Sequence, residues 1–393
     1  MRSFVALFVL VLAAEAHAQE PAPPEPAPPA PASEPTKPVP PEVEAVSAPP
    51  VGTVPAVERF TPWPTARLIV ELELYSQARM VSREGDDLSE LRLDRGELGG
   101  RLQLGEHGAA ELRFEAIRSA VEGGSLGVDG DSTVFRLKIA QVVGTHDVGE
   151  VRLDGALGFV PDPWLRTLED DYTLKPLSRT GSERLLGWPT SDLSALARAS
   201  YGPIRATVAV GNGEGQRFPE RNTGKTTTAV VDIVPISTPD FRVTASGVAR
   251  DGSIGVASIR ERRFGGGFTA VTPWVRGGVE VIQALGIGDR GEAKGLLAGG
   301  WAEARVIERV FVGARGATLG FTDDGGRQST FGGAVAVEPW REAGDRARGR
   351  FRVWLAVDRV TSSGGAMPLP GADAGDATLV MLVASALAPF TLE

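Results

Sequence analysis

Between Pro161 and Ser191 the chain sets three consecutive acids, Glu169, Asp170 and Asp171, among four bases, Arg166, Lys175, Arg179 and Arg184. Fixed charges of both signs at this density attract, sort or repel ions in water. Other chemistry is scarce. The chain has no cysteine, which excludes a thiolate metal site, a cysteine nucleophile and a disulfide framework. It has three histidines, and His107 and His146 each fall in a short turn beside glycine or aspartate, a poor setting for general base catalysis or metal ligation. No metal and no cofactor is expected. The net charge is −9, and the five lysines are scattered with no basic face carrying interleaved aromatics, so no nucleic-acid partner is expected either.

What positions those charges is a period-two pattern that starts near Thr65 and persists to the end. Leu68, Val70, Leu72 and Leu74 alternate with Arg67, Ile69, Glu71 and Glu73; Leu112 and Phe114 alternate with Glu111, Arg113 and Glu115. Arg136 and Lys138 alternate with Phe135, Leu137 and Ile139, and Arg152 shares the charged phase of Val151–Val160. Successive strand side chains point to opposite faces, so each segment makes one apolar and one charged surface. Two segments are less clean: 91–104 slips phase around Gly96, and 377–390 is apolar on both faces.

About sixteen such segments can be counted, most of 10–14 residues, longer than the usual strand of a globular protein and long enough to cross a hydrocarbon layer at a tilt. Short turns (105–108, 144–147, 202–203, 236–239, 272–274, 307–309) alternate with longer connections (81–90, 121–132, 161–191, 212–224, 251–257, 287–294, 321–329, 361–376), with an exception at 340–348. A soluble sandwich has no reason to sort its loops in this way, whereas a membrane barrel has short turns on one side and long loops on the other. Trp63, Tyr75, Tyr201, Trp274 and Trp340 sit near strand ends, as the interfacial girdles of such barrels require. Trp301 and Trp354 depart from this, since both share the charged phase of their strands. The expected fold is therefore all-β, a transmembrane antiparallel barrel of about sixteen strands over residues 59–393. Its mean hydropathy of −0.04 is the average of a lipid-facing and a water-facing phase.

The segment before the barrel divides in two. Arg2, the apolar run Phe4–Ala14 and Ala16-His17-Ala18 make an export signal over 1–18, whose removal leaves 375 residues. Residues 19–58 hold 14 of the 29 prolines and no aromatic, the composition of an extended, unpacked periplasmic linker that could contact the cell wall.

Sixteen alternating strands, with the 31-residue connection 161–191 following the fifth, resemble the bacterial outer-membrane porins, including the phosphate-selective porin O/P group. The resemblance implies that this third long loop folds into the lumen and narrows the pore. Glu169, Asp170 and Asp171 would then face the lumen-phase cations Arg113, Arg136, Lys138 and Arg152 on the neighbouring wall. It also implies a homotrimer surrounded by outer-membrane lipids, passing small solutes or ions without a catalytic step. A different reading of the same barrel is a closed or plugged anchor for adhesion or envelope organisation. A lipid hydrolase would need a serine, a histidine and an amide or carboxylate in register at the lipid edge, whereas His107 and His146 are expected in periplasmic turns.

Overall fold

A computed structural model describes residues 67–83, 86–119, 132–215, 224–254, 259–287, 290–323, 325–340, 350–363 and 376–392. The export signal, the linker and Trp63 lie outside the described residues. In chain order the strands are β1 (Arg67–Arg83), β2 (Asp86–Leu104), β3 (Gly108–Ser119), β4 (Ser132–Val148), β5 (Val151–Pro161), β6 (Ser191–Tyr201), β7 (Ile204–Gly211) and β8 (Thr226–Ser237). They continue with β9 (Arg242–Ile254), β10 (Ile259–Val271), β11 (Val275–Ile287), β12 (Arg290–Ile307), β13 (Val310–Phe321), β14 (Arg327–Trp340), β15 (Arg350–Ser363) and β16 (Ala377–Leu392). Each strand pairs antiparallel with its chain neighbours, and β1 pairs with β16, which closes the barrel. Closure leaves no strand edge unpaired, a requirement for any sheet placed in lipid.

The two phases sort as the alternation requires. Leu74, Leu98, Leu112, Phe114, Leu157, Phe268 and Leu355 are exposed on the outside, while Glu97, Glu115, Lys138, Glu280 and Asp358 are buried inside. An apolar exterior around a charged interior is the inverse of a soluble protein and the signature of a barrel solvated by lipid. Tight turns on one side carry glycines in the left-handed region, Gly149 (φ 60°) and Gly202 (φ 53°), where a side chain would be strained.

Departures from clean alternation have structural causes. The slip near Gly96 is a β-bulge: Tyr75 pairs with Arg95 and Ser76 with Leu93, so Asp94 is left over and the phase of β2 flips there. A second bulge falls at Lys138, because Arg113 pairs with Ile139 and Phe114 with Leu137. That turns Ile139, expected on the lipid side, into a buried residue. Tyr75, expected in the girdle, is also buried: its odd position in β1 points it inward, where its hydroxyl donates to Glu73 at 2.7 Å. Two connections expected to be long shrink to the pairs 84–85 and 288–289, because polar residues continue the ladder past the apolar belt.

Candidate pore constriction

The connection 162–190 enters the lumen. Its first helix, α1 (Pro163–Glu169), starts where proline fits the first turn and Asp162 caps it, Oδ1 accepting from the amides of Trp164 and Leu165 at 2.9 and 3.2 Å. A second, α2 (Gly181–Leu185), is capped by Thr180. The two feet of the loop are tied by the Asp162 amide donating to the Thr190 carbonyl at 2.9 Å, and the Asp162 carboxylate lies 3.3 Å from Arg250.

One face of the loop is apolar and lies on an apolar wall. Trp164, Leu165, Leu168, Leu185 and Trp188 pack with Val230, Val248, Ile282, Leu297 and Leu319. Tyr172, Leu174 and Leu177 pack with Phe311, Ala336, Trp354, Leu379, Met381 and Val383. This is why 377–390 is apolar on both faces and why Trp354 occupies a lumen position: β16 and β15 meet lipid outside and the loop inside. Burying each large side chain contributes roughly 1.5–3 kcal/mol, so the loop is held as firmly as a small domain core. Polar pins add direction. The Ser182 amide donates to Glu280 at 3.2 Å, its hydroxyl donates to the same carboxylate, and the Thr269 hydroxyl donates to Asp171 at 2.9 Å.

The opposite edge of the loop is ionic and faces the wall formed by β1–β7. There the cations and carboxylates interleave. Glu97 accepts from Lys138 at 2.8 Å and Arg113 at 3.3 Å, and forms an ion pair with Arg95 at 2.9 Å. Glu115 accepts from Arg136 at 2.7 Å and Arg95 at 3.1 Å, and Arg113 reaches Glu71 at 2.7 Å. From the loop, Lys175 lies 3.5 Å from Glu169 and 4.0 Å from Glu97, so it bridges loop and wall. Burial works against the charge of Glu169, but Lys175, Lys138 and Arg95 prevail and hold it below the usual carboxylate range. Burial likewise opposes the charge on Lys175, and Glu169 and Glu97 raise it above its ordinary value.

The structure thus separates residues that the sequence groups together. Of the three acids, Glu169 joins the β2–β4 network. Asp170 points to water and pairs with Arg166 at 2.9 Å, and Asp171 turns away to pair with Arg242 on β9. Of the four wall cations, Arg113, Arg136 and Lys138 are tied to wall carboxylates, whereas Arg152 is 59 % exposed beside Asp154. Tyr201 and Trp274 stand exposed at short turns, and the guanidinium of Arg305 lies 4.4 Å from the Trp274 ring centre. Trp340 ends β14, opposite Phe351. Arg198 and Arg205 on β6 and β7 were not singled out from sequence, although Arg205 lies in the charged phase of its strand. Arg198 donates to Thr207 at 3.1 Å, and Arg205 pairs with Asp232 at 2.9 Å.

A closed barrel of sixteen antiparallel strands, with an apolar exterior and the connection after β5 folded into its interior, is the architecture of the outer-membrane porins. Among solved structures the chain is similar to the anion-selective porin from Comamonas acidovorans, with a TM-score of 0.55 and 14% identity over 83% of this chain and 100% of that one. It is also similar to the in-vitro folded trimer form of OmpT, an outer-membrane protein of Vibrio cholerae, with a TM-score of 0.54 and 12% identity over 83% and 100%. At such identities the likeness is one of fold. No protein-family model and no curated protein matches the sequence.

Proposed function

We propose that the protein is an outer-membrane porin through which small hydrophilic solutes or ions diffuse passively, with a preference for anions. The observation that carries this reading is the asymmetry inside the barrel. The loop packs dry against one sector and leaves charged, water-exposed side chains toward the other. Among those lumen groups Arg152, Arg166 and Arg205 have side chains 59, 53 and 33 % exposed, against 40 % for Glu71 and 47 % for Asp170. An excess of accessible guanidinium groups in a passage with low-dielectric walls raises the local concentration of anions. Flux is then set by width and wall charge, with no bond made or broken. The export signal 1–18 delivers the chain, the linker 19–58 extends into the periplasm toward the cell wall, and three copies assemble as a homotrimer in outer-membrane lipid.

The second reading, a plugged barrel that anchors rather than conducts, draws on the contact of Lys175 with Glu97, which brings the loop to both walls. One experiment separates the two. Purified protein in planar bilayers, under a salt gradient, should give discrete conductance steps with a reversal potential of anionic sign. Folded, heat-modifiable protein that gives no steps supports the anchor, and steps with cationic sign overturn the proposed selectivity.

A further inference from the structure

The outer surface of the barrel differs between its two ends. The short-turn end is marked by uncharged side chains: Tyr201, Ile204, Ile233, Trp274, Val275 and Val306 stand exposed, and the guanidinium of Arg305 lies over the Trp274 ring. At the end of the long connections Arg260 of β10, Lys294 of β12, Arg327 of β14 and Arg359 of β15 stand exposed instead, with Arg262 half-buried beside Arg260. Strand register puts these cations on the outward face. Arg262 pairs with Leu285 and Leu285 with Lys294, so the three share one row across β10–β12. In the next outward row Phe264, Gln283, Leu296, Gly320 and Arg327 follow one another across β10–β14. Arg359 lies opposite Phe331, whose ring is exposed on the outside.

These cations border lipid, because an exposed apolar side chain follows each on the same face: Phe264 after Arg262, Leu296 after Lys294, Phe331 after Arg327. A cation is tolerated on the lipid face only at such an interface. The nearby carboxylates answer some of the charge. Asp251 lies 2.7 Å from Arg260 and 3.4 Å from Arg262, and Asp376 lies 3.3 Å from Arg359. Asp323 accepts from the Lys294 amide at 3.0 Å, and Glu292 is exposed two residues before Lys294. The side chains of Lys294 and Arg327, however, form no ion pair among the described residues. Two strand spacings and two residues of rise separate them, roughly 12 Å at the backbone, within reach of both side chains toward one anionic group. Between them lies Gly320, where a Cβ would meet nothing within 4 Å.

We propose that Lys294 and Arg327 hold the phosphate of a lipid headgroup in the external leaflet, over the open position at Gly320. Arg262 stands in the same row as Lys294, Gln283 offers an amide one row below, and the acyl chains lie against Phe264, Leu296 and Phe331. The one-ended distribution of charge sets the direction: the leaflet beside the long connections carries the phosphates. The site lies outside the lumen and stands whether or not the barrel conducts. The test titrates full-length mature protein in detergent with a phosphorylated glycolipid, with phosphatidylcholine and with inorganic phosphate, and counts bound molecules by native mass spectrometry. The glycolipid should bind saturably and at least tenfold more tightly than either of the others. Lys294→Gln/Arg327→Gln should weaken its binding roughly tenfold, while the melting temperature in detergent alone stays within a degree of wild type. Gly320→Val fills the gap without touching a charge and should weaken it too. Glycolipid binding that survives both variants overturns the proposal. So does equal affinity for phosphatidylcholine, which marks a plain lipid surface, or for inorganic phosphate, which marks a free-anion site.

Discussion

The two sectors of the barrel interior are built on opposite principles. Toward β1–β7 the inward positions hold interleaved cations and carboxylates such as Arg95, Glu97, Arg113, Glu115 and Lys138. Toward β8–β16 many inward positions hold Val230, Ile282, Leu297, Trp354 and Met381, sealed by Trp164, Leu174 and their neighbours on the loop. A lumen-facing position is therefore not the same thing as a wet one. The loop decides which, and it does so through hydrophobic burial on one side and ion pairing on the other. The first depends little on pH, whereas the second is lost in strong acid.

That contrast can be broken at its apolar side with the largest effect. Trp164 and Leu174 are fully buried, and replacing each with alanine should cost about 2–5 kcal/mol of loop docking. In Trp164→Ala/Leu174→Ala the loop should leave the wall and conductance should rise several-fold while the protein stays heat-modifiable on gels. Unchanged conductance would show that the apolar sector does not hold the loop.

On the ionic side, Glu97→Gln strips a shared partner from Arg95, Arg113 and Lys138. Breaking a buried network in this way should cost about 3 kcal/mol in barrel stability and move the reversal potential further toward anions. A melting temperature within a degree of wild type would mean that water already screens the network. Arg136→Glu belongs to the same class, because Arg136 is locked on Glu115 at 2.6 Å and its replacement sets two carboxylates together.

Acid should distinguish the sectors more gently. The carboxyl of Glu169 is held below its unfolded value, so its stabilising contribution is complete above that value and is lost as pH falls through the depressed folded one. With an unfolded value of about 4.3, the contact of the loop with β2–β4 should survive at pH 5 and weaken only below about pH 4. The packing of Trp164 and Trp188, followed by tryptophan fluorescence, should hold throughout. A conductance change between pH 7 and pH 5 that Glu169→Gln abolishes would contradict this.

The smallest effect on stability is expected at Arg152, where the side chain is largely in water. Arg152→Glu should change stability by no more than about 0.5 kcal/mol and shift the reversal potential toward cations. No shift would place Arg152 outside the ion path.

Much of this architecture is legible in the residues. The period-two pattern marks the strands because each must present one face to lipid and one to the interior, and the alternation of short and long connections follows from having water on two sides of a membrane. The 31-residue connection stands out by length and by its mix of Trp, Leu and charge. Three things escape a linear reading. Bulges at Asp94 and Lys138 flip a phase through one unpaired residue, which is settled by the register of the partner strand. The connections at 84–85 and 288–289 are shorter than expected because the ladder continues where no apolar residue marks it. Tyr75 enters the lumen because the position of a ring depends on its parity in β1 and not on its nearness to a strand end.

Composition and alternation are local, and they suffice for a barrel with a charged interior and a loop too apolar to remain in solvent. Which inward residues stay wet and which of Glu169, Asp170 and Asp171 meets which wall depend on groups far apart in the chain. Those contacts exist only once the sheet has closed and the loop has chosen the side on which it buries most apolar surface.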